Sequence, residues 1–152
     1  MAEEPPEDLY DILQRALKDP STLPPPPIAS FLGFRLVEYG PGIATMEIEI
    51  DGRFYNPLGT LHGGVLCDIS DAAMGMAYAS ELGRGESFTT IELKINFMKP
   101  VWRGRLRAEG RVVKRGRTVG LTECDVFDEK RSLVARASST CMTLRGEMAK
   151  GR

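Results

Sequence analysis

The sequence predicts a single α+β domain in which an antiparallel sheet of about five to six strands wraps around one central helix. Apolar and polar residues alternate over much of the chain from residue 34 onward, which is typical of half-buried strands. One stretch, residues 63–82, breaks this alternation and is small and apolar on nearly every side, as in a buried helix. The length of 152 residues allows one such core and not two.

The chain opens with a segment unlike the rest. Residues 9–18 carry apolar side chains at helical spacing behind Asp8, a residue suited to capping a helix. Four prolines at residues 24–27 then predict a stiff, polyproline-like spacer. This segment is expected either to cover a rim of a site or to be poorly ordered, and poor order is the simpler expectation for a chain terminus. The predicted parts are an N-terminal extension at residues 1–27, the domain at residues 28–145 and a polar tail at residues 146–152.

Six strands are predicted, two before the central helix and four after it. They lie at residues 34–39, 43–50, 87–98, 103–114, 118–128 and 132–144. The helix at residues 63–82 is expected to end at Gly83, since glycine adopts the left-handed conformation that closes many helices.

Composition excludes several classes of function. The chain has 20 basic and 21 acidic side chains, so its net charge gives no reason to expect nucleic-acid or membrane binding. Cys67, Cys124 and Cys141 lack metal-ligand spacing, and with one histidine in the chain no metal or other cofactor is predicted. The acidic N-terminus argues against a signal peptide, and no apolar run approaches the ~20 residues of a membrane span. The sequence therefore predicts a soluble, cytoplasmic protein with reduced cysteines.

The segment between Asn56 and Asp71 holds the residues best suited to chemistry. His62, the only histidine, directly precedes Gly63 and Gly64, which open the central helix. Free N–H groups in the first turn of a helix can stabilise an oxyanion that forms when a carbonyl is attacked. Taken alone, His-Gly-Gly is more simply interpreted as a tight turn into a helix.

Two carboxylates follow inside the same apolar helix, where burial of a charge without a partner is rare. Asp71 is predicted to be a nucleophile or general base, because burial would raise its pKa into a useful range. Asp68 either shares such a role or faces solvent or an arginine. Gly63 and Asp71 are eight residues apart, which is about 12 Å along a helix. One chain cannot bring them together, so the spacing predicts an obligate dimer with shared sites.

The most specific pattern in the chain consists of Asn56, His62, Gly63, Gly64, Asp71 and, ahead of an Ile-x-Leu-x-Ile-x-Phe-Met-x-Pro strand, Thr90. This combination resembles the hot-dog-fold acyl-CoA thioesterases of the phenylacetate-degradation (PaaI-like) group. The resemblance covers residues 31–144. It implies a hot-dog fold, hydrolysis of an acyl-CoA to the free acid and CoA, and homodimers with shared sites. Whether these dimers pair further into homotetramers stays open from the sequence.

The resemblance also implies roles for single residues. Asp71 would be the nucleophile or general base, and the Gly63 N–H would polarise the thioester carbonyl across the dimer interface. His62 would position the loop or assist near the thioester sulfur, and Asn56 would orient substrate or water. Thr90 would hold the attacking water.

The threonine assignment depends on the register of its strand. Simple alternation places Thr89 on the face of Leu93 and Ile95, which should pack on the helix. Thr90 would then lie on the opposite face, and the family match selects it only if the register holds.

Substrate contacts are predicted at two further groups of side chains. Residues close to the glycine pair are candidates for contacts to the acyl group, and basic residues at strand ends are candidates for binding the CoA phosphates. All of them also fit ordinary core or solvated surface. The acyl candidates are Phe54, Tyr55, Leu58, Gly64 and Met74, and the phosphate candidates are Lys99, Arg103, Arg115 and Arg117.

Two other functions stay open from the sequence. A dehydratase of the same fold would use His62 as its base, although Asp71 stands at the hydrolase spacing. A non-catalytic acyl-CoA-binding protein is the second, although a regulator of this fold would need a DNA-binding helix-turn-helix that one short helix before prolines does not supply. The sequence does not specify the acyl group.

Overall fold

A computed structural model describes residues 7–150 of the chain. This part contains three α-helices, six β-strands and three short 3-10 turns. The helices are α1 (Leu9–Lys18), α2 (Pro27–Leu32) and α3 (Gly63–Ala79). The strands are β1 (Arg35–Gly40), β2 (Ile43–Ile50), β3 (Glu86–Phe97), β4 (Gly104–Arg115), β5 (Val119–Phe127) and β6 (Leu133–Arg145).

The six strands form one antiparallel sheet in the order β1-β2-β4-β5-β6-β3. The sheet wraps around α3, and their shared core contains fully buried side chains such as Ile48, Ile69, Leu106 and Val126. The predicted α+β architecture is confirmed, and the observed strands begin and end within about two residues of the predicted ones.

Two glycines let the helix approach the sheet closely. A Cβ atom at Gly110 on β4 would lie 2.5 Å from the backbone carbonyl of Ala73 on α3. A Cβ atom at Gly120 on β5 would lie 2.5 Å from the ring of Tyr78. Because both distances are far below van der Waals contact, α3 packs at this depth only where the strands carry no side chain.

The central helix ends earlier than the sequence predicts. It stops at Ala79 rather than at residue 82, and Ser80, not Gly83, is its capping residue. The Ser80 hydroxyl donates to the Ala77 carbonyl at 2.7 Å and accepts from the Gly42 backbone at 2.8 Å. These hydrogen bonds of the Ser80 side chain take the place of the predicted glycine cap. The sequence pattern could not reveal them, because Gly42 is distant in the chain.

The N-terminal segment packs against the domain from residue 7 onward, so the expectation of poor order was wrong for its described part. Asp8 caps α1 as predicted, and Leu13 and Ala16 are buried in a core cluster with Tyr78. Arg84 holds the same helix from outside by ion pairs to Asp8 and Asp11. The polyproline spacer is one residue shorter than predicted, because Pro27 starts α2 at the first helical position.

Within residues 7–150, no helix has both the length and the apolar character needed to cross a bilayer. The three cysteines are unpaired, with Cys124 and Cys141 buried and Cys67 half-buried. Burial and the nearby Asp68 carboxylate raise the pKa of the Cys67 thiol, which makes it a weaker nucleophile at neutral pH.

Candidate active site

The start of α3 presents a free backbone donor. His62 is the N-cap, and its Nδ1 accepts a hydrogen bond from the Gly64 N–H at 2.8 Å. The Val65 N–H donates to the His62 carbonyl at 3.1 Å. The Gly63 N–H makes no hydrogen bond within the part of the chain that the structure describes. The first turn of the helix therefore leaves the Gly63 donor for a ligand, with the positive end of the helix dipole behind it.

His62 has a defined orientation at this position. Its side chain is exposed, and because Nδ1 accepts from Gly64, a neutral imidazole carries its proton on Nε2. The contact also takes up the Gly64 N–H, so of the two glycines only Gly63 has an unused donor. The predicted positioning role of His62 is consistent with this cap.

A cavity of about 370 Å³ adjoins Gly63. A Cβ atom at Gly63 would lie 2.8 Å from the tip of the Phe97 ring, so glycine is needed for the present position of that ring. Lys99 lines the same cavity, with its ammonium 2.5 Å from Asp128. The remaining lining residues are Asn56, Thr60, Leu61, Leu66, Met98, Pro100 and Val101.

Asn56 borders this cavity but uses its amide to shape a loop. Its Oδ1 accepts from the backbone N–H groups of Leu58 at 2.9 Å and Thr60 at 3.3 Å. Its Nδ2 donates to the Thr60 hydroxyl at 3.0 Å. With these contacts Asn56 fixes the turn that leads to His62, which is an Asx-type arrangement.

The second group of candidate residues lies two turns further along α3. The Thr90 hydroxyl donates to Asp71 Oδ1 at 3.1 Å. Asp71 is exposed in the single chain, so the prediction that it is buried within α3 was wrong for the chain on its own. Asp68 is exposed as well, and the pKa of its carboxyl is raised by partial desolvation and by the neighbouring Asp71 charge. Both carboxylates lie on the face of α3 that turns away from the sheet.

A β-bulge explains why Thr90, and not Thr89, faces the helix. Thr90 pairs with Cys141 on β6 and Glu92 pairs with Thr140, so Ile91 is an extra residue without a partner. The bulge reverses the alternation of β3 at this point. The prediction that Thr89 faces the helix was therefore wrong, since it assumed an unbroken period of two.

The two groups of residues border different cavities. Asp71, Thr90 and Asp68 line a larger cavity of about 480 Å³, whereas Gly63 lines the smaller one. Among residues 7–150, neither cavity brings Gly63 and Asp71 together. This arrangement agrees with the spacing argument, in which each chain carries two separate half-sites.

Four of the predicted acyl-group contacts lie elsewhere. Met74 is fully buried in the core, because it faces the sheet while Asp71 faces outward. The Tyr55 hydroxyl donates to the Trp102 carbonyl, and Tyr55 lines neither cavity. Leu58 is 88% exposed at the tip of the Asn56 loop. Phe54 is likewise a core residue.

The predicted phosphate contacts divide in a similar way. Arg115 does not reach outward: it contacts Glu86, the Glu81 carbonyl and the face of Tyr78, below the end of α3. Its guanidinium is thus held by structural contacts, which argues against the predicted contact with a CoA phosphate. Arg103 and Arg117 are exposed in loops outside both cavities. Of the four predicted phosphate contacts, only Lys99 lines the Gly63 cavity.

The larger cavity contains residues that the sequence reasoning missed. Ala72, Gly75 and Met76 line it from α3, and Phe88 lines it from β3. Ala72 stands four positions after Asp68, and Gly75 stands four positions after Asp71, so helical spacing could have placed both on the face of the two carboxylates. No comparable pattern indicated the proline-rich segment, which forms another wall.

Comparison with known proteins identifies the family. Residues 58–135 match the family model of the Thioesterase superfamily. The chain belongs to this superfamily. A protein of Saccharolobus solfataricus named as an esterase is 33% identical over 118 residues, covering 78% of this chain and 84% of that protein. Acyl-coenzyme A thioesterase 13 of Pongo abelii is 28% identical over 107 residues, covering 69% and 76% of the two chains.

Comparison with solved structures supports the same family assignment. A phenylacetic acid degradation-related protein of Ralstonia eutropha aligns with a TM-score of 0.76 and 29% identity, over 86% of this chain and 98% of that one. The resemblance to the PaaI-like hot-dog thioesterases is confirmed, and the chain is a thioester hydrolase.

Proposed function

We propose that this protein hydrolyses acyl-CoA thioesters, with Asp71 and the Gly63 N–H acting together across a dimer interface. The observation that carries this proposal is the contact between Thr90 and Asp71, both of which line an apolar cavity. Asp71 belongs to the same helix, α3, whose first residue, Gly63, has a free N–H donor. The name of the Pongo abelii relative supports CoA as the thiol.

In the proposed reaction, water adds to the thioester carbonyl, the carbon–sulfur bond breaks, and the products are a carboxylic acid and the CoA thiol. The Gly63 N–H stabilises the oxyanion. Asp71 acts as the general base, because the Thr90 hydroxyl occupies Oδ1 and leaves Oδ2 to accept the proton of the water. Direct attack by Asp71 on the carbonyl is the alternative role of the same carboxylate.

The dimer is proposed from the exposed surface next to α3. Strand β3 lies at the edge of the sheet, where β6 is its one neighbour among the described strands. Ile91, Phe97 and Met98 are each more than half exposed along or just after this edge. A second copy of the chain on this face would cover these apolar side chains and bury Asp71. Because electrostatic interactions are stronger away from water, burial would strengthen the interaction of the Asp71 carboxylate with a bound substrate. The dimer, alone or paired into a tetramer, is the proposed functional unit.

Three assignments remain: the contact for CoA, the cellular compartment and the cofactor. Lys99 borders the Gly63 half-site and is the proposed contact for a CoA phosphate. The unpaired cysteines support a reducing compartment, and we place the protein in the cytoplasm. The proposed mechanism uses no cofactor.

The experiment that tests the function is a thiol-release assay on purified full-length protein with a panel of acyl-CoA substrates. We expect free CoA to appear together with one equivalent of carboxylic acid. Hydration of an enoyl-CoA without hydrolysis of any acyl-CoA would assign the dehydratase function instead. Tight acyl-CoA binding without thiol release would assign a binding protein.

A further inference from the structure

The N-terminal segment forms a wall of the cavity that reaches Asp71. This cavity, of about 480 Å³, is bounded by α3 on one side and by β1, β2 and β3 on another. The third boundary comes from residues 20–29, with Pro20, Leu23, Pro25, Pro26, Ile28 and Ala29 among its lining residues. The domain alone would leave this side of the cavity open.

Both ends of the wall are anchored to the domain. On the N-terminal side, α1 is buried through Leu13 and Ala16, and Arg84 pairs with Asp11 at 2.7 Å. On the C-terminal side, Ala29 is only 4% exposed and belongs to the main core cluster. The prolines between these anchors have few accessible backbone conformations, so the wall is stiff as well as attached.

The chemistry of the wall is apolar. Proline has no N–H group, so the proline-rich stretch offers the cavity few hydrogen-bond donors. Leu36, Met46, Met76 and Phe88 continue the apolar lining on the opposite sides. Three charged residues within residues 7–150 also line the cavity. The Arg35 guanidinium is paired with Glu47 at 3.0 Å, whereas the carboxylates of Asp68 and Asp71 disfavour a second carboxylate inside the cavity.

The size of the cavity limits the occupant. A volume of about 480 Å³ lies within the ~300–1,000 Å³ range of pockets that bury small ligands. At roughly 30 Å³ for each methylene-sized group, an uncharged acyl group of about eight to twelve carbon atoms fits within that space. A two-carbon acyl group would leave most of the apolar lining without contacts.

We propose that residues 20–29 are the specificity wall of the enzyme and select an uncharged, apolar acyl group of medium size. The inference rests on the proposed thioesterase function, and it adds a substrate class and a role for the proline-rich segment. Ile28 is the side chain best placed to test it, because it lines the cavity and yet is 51% exposed. Its substitution therefore leaves the packed core intact.

The test compares two opposite substitutions at Ile28 with a control on the same helix. Ile28→Trp fills the cavity, and we expect kcat/KM for octanoyl-CoA to fall about tenfold while that for acetyl-CoA changes little. Ile28→Ala enlarges the cavity, and we expect the preference to move from octanoyl-CoA toward dodecanoyl-CoA. Phe31 is 79% exposed and does not line the cavity, so Phe31→Ala should keep the wild-type profile. Melting temperatures of all variants check that each is folded.

Three results would overturn the inference, and they are distinguishable. If wild type is active and both Ile28 variants keep its acyl profile, the wall has no role in specificity although the thioesterase function stands. The inference is also wrong if succinyl-CoA, with its second carboxylate, is preferred over octanoyl-CoA. If wild-type protein releases no thiol from any substrate, the proposed function itself fails, and the inference with it.

Discussion

Asp71→Asn is expected to lower kcat for acyl-CoA hydrolysis by about 10²–10⁴-fold, the usual contribution of a positioned general base. The amide keeps the size of the carboxylate and can still accept from Thr90, but it cannot take a proton from water. Asp71 is exposed in the single chain, so the variant should melt near the wild-type temperature. Steady-state thiol release and a thermal melt measure the two effects.

Asp68→Asn is the matched control, since it removes a second exposed carboxylate from the same face of α3. This variant should keep most of its kcat, because Thr90 contacts Asp71 and not Asp68. If Asp68→Asn abolished hydrolysis while Asp71→Asn stayed active, the roles of the two residues would have to be exchanged.

Gly63→Pro is the second substitution with a large expected effect. Proline lacks the N–H that is proposed to bind the oxyanion, yet it is favoured at the first position of a helix. The preceding residue, His62, already has the extended backbone, at φ −67° and ψ 131°, that proline requires before it. We expect α3 to form and kcat to fall about 10²–10³-fold, as for loss of one oxyanion donor.

Gly63→Ala separates the lost donor from the added bulk. Alanine keeps the N–H, and like proline it places a Cβ atom against the Phe97 ring. That ring is 55% exposed and can turn aside, so the loss of activity in Gly63→Ala should be much smaller. Equal losses in both variants would mean that the Phe97 contact matters and that the Gly63 N–H does not bind the oxyanion.

Local patterns predicted most of the fold. Period-two alternation located all six strands, and the apolar stretch after His62 located the central helix. Asp8 capped α1 as its residue type indicates. These features depend on residues close together in the sequence, where propensity and periodicity act. The end of α3 could not be predicted in this way, because Ser80 and Gly42 cap it through a tertiary contact.

The candidate site was less predictable for similar reasons. The spacing of Gly63 and Asp71 indicated two half-sites, because helix geometry fixes their separation. The bulge at Ile91 left no sequence signal, and it puts Thr89 and Thr90 out of step with Leu93 and Ile95 further along β3. The proline-rich segment was expected either to cover a rim of a site or to be poorly ordered. The sequence could not decide between the two, because the contacts of this segment with the cavity depend on how the distant β1, β2 and β3 fold.

The most direct test of the account is subunit complementation between Asp71→Asn and Gly63→Pro. The two chains are co-expressed with different affinity tags, and the mixed assembly is purified through both tags. If sites are shared, a mixed dimer holds one intact site and should have about half of wild-type kcat per dimer. A chain carrying both substitutions, paired with a wild-type chain, should then be nearly inactive. The reverse result, an inactive mixed dimer and a half-active double-variant pair, would place each complete site within one chain and contradict the account.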